Sequence, residues 1–260
     1  HKLRRLMALR YVQPLREGGS LPAVVDTEAG LFVVKFRGAG QGRRALVAEL
    51  IVGMLADALD LPVPELALVE VQPIFGRSEP DPEIQDLLRA SHGINVGLRY
   101  LDGAFNYAPP AAREFIPSET AARIVWLDAY TTNPDRTHRN PNLLVWSRRP
   151  WLIDHGAAIY AHHNWDRVDE ARTRTGFPLI REHVLLADAA DLVGADAFAA
   201  SRLTDDVLRE IVERVPDELL TDAGTRGDEA AAERGRYVRY LTERMRAPRA
   251  FVAEAVAARN

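Results

Sequence analysis

Thr132-Asn133-Pro134-Asp135-Arg136-Thr137-His138-Arg139-Asn140-Pro141-Asn142-Leu143-Leu144, followed by Trp151-Leu152-Ile153-Asp154-His155-Gly156, is the stretch on which the reading of this chain turns. It places an acid, Asp135, five residues before an amide, Asn140, in a polar loop. Two short strands are expected next, Leu143–Trp146 and Trp151–Asp154, the second ending in Asp154 just before His155-Gly156. A hairpin of that kind folds Asp154 back beside the loop, so that three oxygen-bearing side chains converge although Asp135 and Asp154 lie 19 positions apart. Phosphoryl transfer uses such a set. One carboxylate accepts the proton of the attacking hydroxyl, while an amide oxygen and a second carboxylate hold Mg²⁺ against the phosphates.

Upstream, the chain supplies a cation. Lys2 and Lys35 are the only lysines among 33 basic residues; all the others are arginine. Lys35 ends the short apolar strand Leu31-Phe32-Val33-Val34-Lys35-Phe36. A compact ammonium on a flexible stem suits a phosphate, and the alternative is a side chain snorkelling from the edge of the strand. The strand follows the hairpin loop Asp26-Thr27-Glu28-Ala29-Gly30. After the connector Gly38–Gly42, residues 43–59 carry Leu46, Leu50, Ile51, Met54, Leu55 and Leu59 at helical spacing. Glu49 falls at the edge of that apolar face, as a residue reaching into a cleft should. Further strands are expected at Tyr11–Leu15, Ala23–Val25, Glu65–Val71 and Ile94–Leu101, with a short helix near Asp81–Ala90.

The character changes after about residue 103. Ser118 reads as the N-cap of a helix over Glu119–Tyr130, and the chain from Arg181 onward reads as helices rich in Ala, Leu, Arg and Glu. Strands first and helices second imply an α+β protein of two lobes, a strand-rich N-lobe (1–103) and a helical C-lobe (104–260), with the ligand in the cleft between them.

Asp135-x-x-x-x-Asn140 followed by Ile153-Asp154-His155-Gly156 resembles the catalytic loop and metal-binding segment of the protein-kinase-like superfamily, in the form found in HipA-like kinases and their phosphatidylinositol-kinase relatives. In those families the loop reads Asp-Arg-His-x-x-Asn; here Thr137 separates Arg136 from His138, while the spacing from acid to amide is kept. The resemblance covers roughly residues 11–160 and implies a two-lobed protein-kinase-like fold with ATP and Mg²⁺ in its cleft. It makes Asp135 the catalytic acid–base and Asn140 and Asp154 the metal ligands. Lys35, paired with Glu49, would hold the α- and β-phosphates beneath a short loop at Gly18-Gly19-Ser20, and Tyr100-Leu101 would be the hinge touching adenine. The expected acceptor is a protein serine or threonine hydroxyl, with a small-molecule or lipid kinase and a catalytically silent nucleotide-binding module as alternatives.

Composition excludes other classes. Apolar residues make up 47% and charged residues 27% of 260, the balance of an ordinary globular chain. No apolar run approaches the roughly 18 residues of a membrane span, and the N-terminus does not read as a signal peptide. With no cysteine there are no disulfides or thiolate metal sites. A net charge of −4 gives no footprint for nucleic acid. The cytoplasm is the expected compartment. A histidine-ligated metal hydrolase built on His138, His155, His162 and His163 is the enzymatic rival, disfavoured because the adjacent pair His162-His163 would face opposite ways on a strand.

Overall fold

The computed structural model describes residues 3–15, 21–109, 112–221 and 227–260. Five strands close into a barrel: β1 (Arg4–Pro14), β2 (Ala23–Thr27), β3 (Gly30–Lys35), β4 (Leu66–Val71) and β5 (Gly93–Arg99), in the order β1-β2-β3-β5-β4. Closure depends on β1. Its first residues pair in parallel with β4, Arg4 opposite Ala67, while its later residues pair antiparallel with β2, Pro14 opposite Ala23. Register shifts in the antiparallel part, between Ala8 and Arg10 and between Tyr11 and Gln13, bend the strand between its two partners. The strand thus begins seven residues before the expected Tyr11, where Arg4, Arg5 and Arg10 interrupt the apolar pattern.

Period-two alternation divides the strands between two apolar clusters. Phe32, Val34, Ala67, Val69 and Val71 face the barrel interior. Leu68, Ile94 and Val96 face outward onto α1 (Gly42–Ala58) and join the larger cluster. By the same alternation Val33 and Lys35 leave the interior and line a cleft. α1 is buried from Ala45 to Ala56, Glu49 included. Glu49 is therefore not at the edge of an amphipathic face: the helix is enclosed on all sides, with β5 against one face and later helices against the others.

The rest follows in chain order: α2 (Pro82–Ala90), β6 (Phe105–Asn106), α3 (Ser118–Tyr130), β7 (Leu143–Trp146), β8 (Arg149–Leu152), α4 (Glu170–Thr173), α5 (Leu192–Arg202), α6 (Asp205–Glu213), α7 (Asp217–Leu220), α8 (Gly227–Met245) and α9 (Ala250–Arg259). Ser118 is the first residue of α3 and makes no capping bond; Pro117, with φ −57° and ψ 144°, provides the extended entry. Strand β8 starts two residues earlier than expected. Ser147 and Arg148, both at positive φ, form a two-residue turn of the kind that matches hairpin twist. His162 and His163 lie in a 3₁₀ turn, Tyr160–His163, rather than on a strand.

α3 is the central helix, buried over Ile124–Tyr130 and packed against α5 and α9. Trp126 stacks on Tyr130 at 5.0 Å and meets Phe251 edge-on at 5.6 Å. Its C-terminal carbonyls, which have no partner within the helix, accept from the buried guanidinium of Arg244: Tyr130 O at 2.7 Å and Ala129 O at 3.0 Å. The helix end that leads into the polar loop is thereby held.

Gly97 in β5 has no room for a side chain, since a Cβ there would stand 2.7 Å from Val69 Cγ2 and 3.3 Å from Phe32 Cδ1. Gly97→Val is expected to destabilise the fold by about 1–3 kcal/mol through overpacking, read as a lower urea midpoint; an unchanged midpoint would show that the barrel interior is slack.

Candidate active site

A cavity of about 500 Å³ lies where the barrel meets the helical part, lined by Val33, Lys35, Tyr100, Leu101, Asn140 and Asp154 among others. Its size is in the range of small-molecule sites. Lys35 Nζ donates to Glu49 Oε2 at 2.7 Å and to Asp154 Oδ1 at 2.5 Å. Burial alone would depress the ammonium, but the two carboxylates outweigh it and raise its pKa above the ordinary value. For Asp154 burial acts upward and Lys35 outweighs it, so that this carboxyl sits below its usual range. Glu49 Oε2 also accepts from the His155 backbone N–H at 2.8 Å. One oxygen of Glu49 thus joins the strand lysine to the segment that carries Asp154.

Asp154 is brought there by the hairpin. Leu143 pairs with Leu152, and Ile153 N donates to Asn142 O at 3.2 Å just beyond the last pair. Asp154 itself turns out of the strand at φ 58°. In the loop, Asp135 Oδ2 accepts from Asn140 Nδ2 at 2.9 Å and Asn142 Nδ2 at 3.2 Å. Asp135 is not a wall of the cavity; it joins it through these two amides.

Beneath the loop lies a buried charge cluster absent from the sequence reading. Asp128, in the last turn of α3, is fully buried. It accepts from Arg136 Nε at 2.6 Å, Asn133 Nδ2 at 3.0 Å and His183 Nε2 at 2.9 Å. Burial raises a carboxyl pKa, but the Arg136 guanidinium and the His183 bond outweigh it and hold Asp128 well below the ordinary carboxylate range. Arg136 also donates to Asn142 O, to Ile153 O at 3.2 Å and to His155 Nδ1 at 3.2 Å. Because Leu185 N donates to His183 Nδ1 at 3.0 Å, His183 is neutral, with its proton on Nε2. Burial likewise keeps His155 neutral, its pKa lowered to about 4. The sequence clue to this cluster is an arginine directly after the loop acid; its partners Asp128, Ile153 and His155 lie outside the loop.

The remaining expectations are placed as follows. Tyr100 and Leu101 follow β5 and line the cavity, with Tyr100 N donating to Leu31 O at 3.0 Å. Gly18, Gly19 and Ser20 lie outside the described residues. Among the described residues no three His, Cys, Asp or Glu side chains cluster closely enough to hold a metal. No helix among them is long and apolar enough to cross a membrane.

A lysine on a barrel strand, bridged to a helix carboxylate and to an acid that follows a hairpin, beside an acid–amide loop, is the arrangement of a kinase. The sequence model of the HipA-like kinase family matches residues 12–232, and the chain belongs to that family. Among solved structures the chain is similar to the Helicobacter pylori proinflammatory kinase CtkA, at 11% identity and a TM-score of 0.57, over 98% of this chain and 97% of that one. No curated protein matches it. The protein is a kinase.

Two outcomes follow from the buried cluster. Asp128→Ala leaves Arg136 an uncompensated buried charge and is expected to cost about 3–5 kcal/mol of stability by urea denaturation; a loss below about 1 kcal/mol would show the cluster to be solvated. His155 has its folded pKa near 4 against an ordinary 6.5, so the unfolded chain binds its proton first. Stability is therefore expected to fall as pH drops from about 6.5 to about 4, by up to about 1.4 kcal/mol per pH unit for this group. Thermal melts across that window check the sign.

Proposed function

We propose that the protein transfers the γ-phosphoryl group of ATP, with Mg²⁺, to a protein serine or threonine hydroxyl. One observation carries this: Lys35 is ion-paired to both Glu49 and Asp154 at the wall of a cavity that Asn140 also lines. In this reading residues 1–103 form an N-lobe and 104–260 a C-lobe, with Tyr100-Leu101 as the hinge against adenine. Since the Tyr100 amide already donates to Leu31 O, the Leu101 amide is the one left to bond the base. Lys35, oriented by Glu49, holds the α- and β-phosphates, and Gly18-Gly19-Ser20 covers them.

The residues present suit the metal. Asn140 uses its Nδ2 on Asp135, which leaves its amide oxygen to ligate, and Asp154 is 43% exposed with one oxygen beyond that bonded to Lys35. Two hard oxygen donors of this kind fit Mg²⁺. When bound, the metal neutralises charge on the phosphates. Asp135 has both neighbouring amides on Oδ2, which leaves Oδ1 to accept the proton of the attacking hydroxyl. The site works through positioning and charge, with little chemistry asked of the protein itself. The acceptor in this reading is a protein hydroxyl and the compartment the cytoplasm.

Transfer of γ-labelled phosphate from MgATP tests this. Asp154→Ala and Asp135→Asn are each expected to lower turnover by about a hundredfold or more, with Asp135→Asn still binding nucleotide. Lys35→Met is expected to weaken nucleotide use in a chain that still folds. Near-normal turnover in Asp154→Ala would remove that residue from the site.

A further inference from the structure

Among the described residues three cations line the cavity: Lys35, Arg99 and Arg139. Two are engaged. Lys35 is closed by Glu49 and Asp154. Arg99 pairs with Glu65 at 2.8 Å and lies 4.8 Å from the Phe32 ring centroid. Arg139 is exposed and has neither a hydrogen bond nor an ion-pair partner among the described residues. Its backbone, in contrast, is held, because Thr137 N donates to Asn140 O at 3.0 Å and Asn140 N donates to Thr137 Oγ1 at 3.3 Å. A fixed turn thus presents one unneutralised guanidinium at the wall of the cavity, immediately before Asn140 and four residues after Asp135.

We propose that Arg139 is a catalytic residue whose guanidinium engages the γ-phosphoryl oxygens as charge develops on them during transfer. This rests on the ATP reading above. In that reading Lys35 serves the α- and β-phosphates and Asn140 and Asp154 serve the metal, so Arg139 is the cation that remains, among the described residues, for the group in transit. In the step, the acceptor oxygen bonds to the γ-phosphorus as the bond from that phosphorus to the β–γ bridging oxygen breaks. The electron pair leaves with ADP, and the hydroxyl proton passes to Asp135 Oδ1. A planar fork of N–H donors matches the equatorial oxygens of the phosphoryl group, and a guanidinium is less tightly hydrated than an ammonium. A cation fixed where charge develops accelerates the step without tightening ground-state binding.

The experiment compares Arg139→Ala and Arg139→Lys with the wild type in the full chain. Phosphate released to water or transferred to protein is measured under saturating MgATP, and MgADP affinity is measured by calorimetry. The expected result is a fall in kcat of about a hundredfold or more for Arg139→Ala in both readouts, MgADP affinity within about threefold of wild type, and partial recovery in Arg139→Lys. Release to water within about threefold of wild type, with only transfer to protein impaired, would overturn the proposal and make Arg139 an acceptor contact. Parallel loss of MgADP affinity would overturn it in favour of a ground-state nucleotide contact. A wild-type chain that binds no MgADP or releases no phosphate would defeat the ATP reading itself, and the proposal with it.

Discussion

The guanidinium of Arg136 is almost entirely enclosed, and the organisation of the catalytic loop depends on how it is satisfied. A buried charge without partners is among the most expensive features a fold can carry. Here it meets the Asp128 carboxylate on one side, and the carbonyls of Asn142 and Ile153 and the Nδ1 of His155 on the others. A planar fork of donors directs its bonds, so satisfying Arg136 also sets where those carbonyls stand. Asn142 O belongs to the end of the loop that Asp135 opens; Ile153 O belongs to the residue before Asp154. The candidate base and the candidate metal ligand are therefore tied to one rigid group, anchored through Asp128 to a helix whose C-terminus is capped by Arg244.

Around that anchor the backbone takes costly conformations. Thr132, Asn142, Asp154 and Ile159 all have φ between 48° and 58°, and Ile159 is β-branched and fully buried. Non-glycine residues in this region cost about 1–3 kcal/mol each and persist where their surroundings over-determine them. Ile159 N donates to Thr131 O at 2.7 Å, so one of the four positions is braced against the residue preceding another. The cluster coincides with the segment that places Asp135, Asn140 and Asp154. That is where imposed geometry serves a function and where local preference is overridden.

Glu49 provides the second tie. With one oxygen on both Lys35 and the His155 amide, it links a barrel strand, α1 and the segment after the hairpin. Ion pairs on the surface, such as Arg89–Asp86 and Arg209–Asp206, lie in water and add little to stability. The enclosed pair works differently: Glu49 cannot move without disturbing α1, which is packed on every side. The position of Lys35 in the cavity thus follows from helix packing as well as from the strand that carries it.

Much of this was legible in the chain because it is local. Short apolar runs at Leu31–Phe36 and Glu65–Val71 define strands, and the two-residue period of any strand puts Lys35 on the face opposite Val34. Apolar spacing defines the helix over 43–59, and the acid–amide spacing with the hairpin that returns Asp154 defines the candidate site. What local pattern does not hold is the partner of a buried charge. Asp128 and His183 lie 55 positions apart, and nothing near either residue names the other; the packing of α3 against the chain after the 3₁₀ turn Pro178–Glu182 brings them to 2.9 Å. The same holds for Glu49, which reads as an edge residue by helical periodicity and is buried where α1 meets Lys35 of β3 and the backbone of His155. It holds also for β1, whose double pairing exists only once the barrel closes. Spacing and periodicity are properties of a segment, so most of the elements and the candidate chemistry could be read from the chain. Burial and charge pairing are properties of the assembled chain, so it takes the folded arrangement to settle which of those groups are enclosed, which are neutralised, and which, like Arg139, have no partner among the described residues.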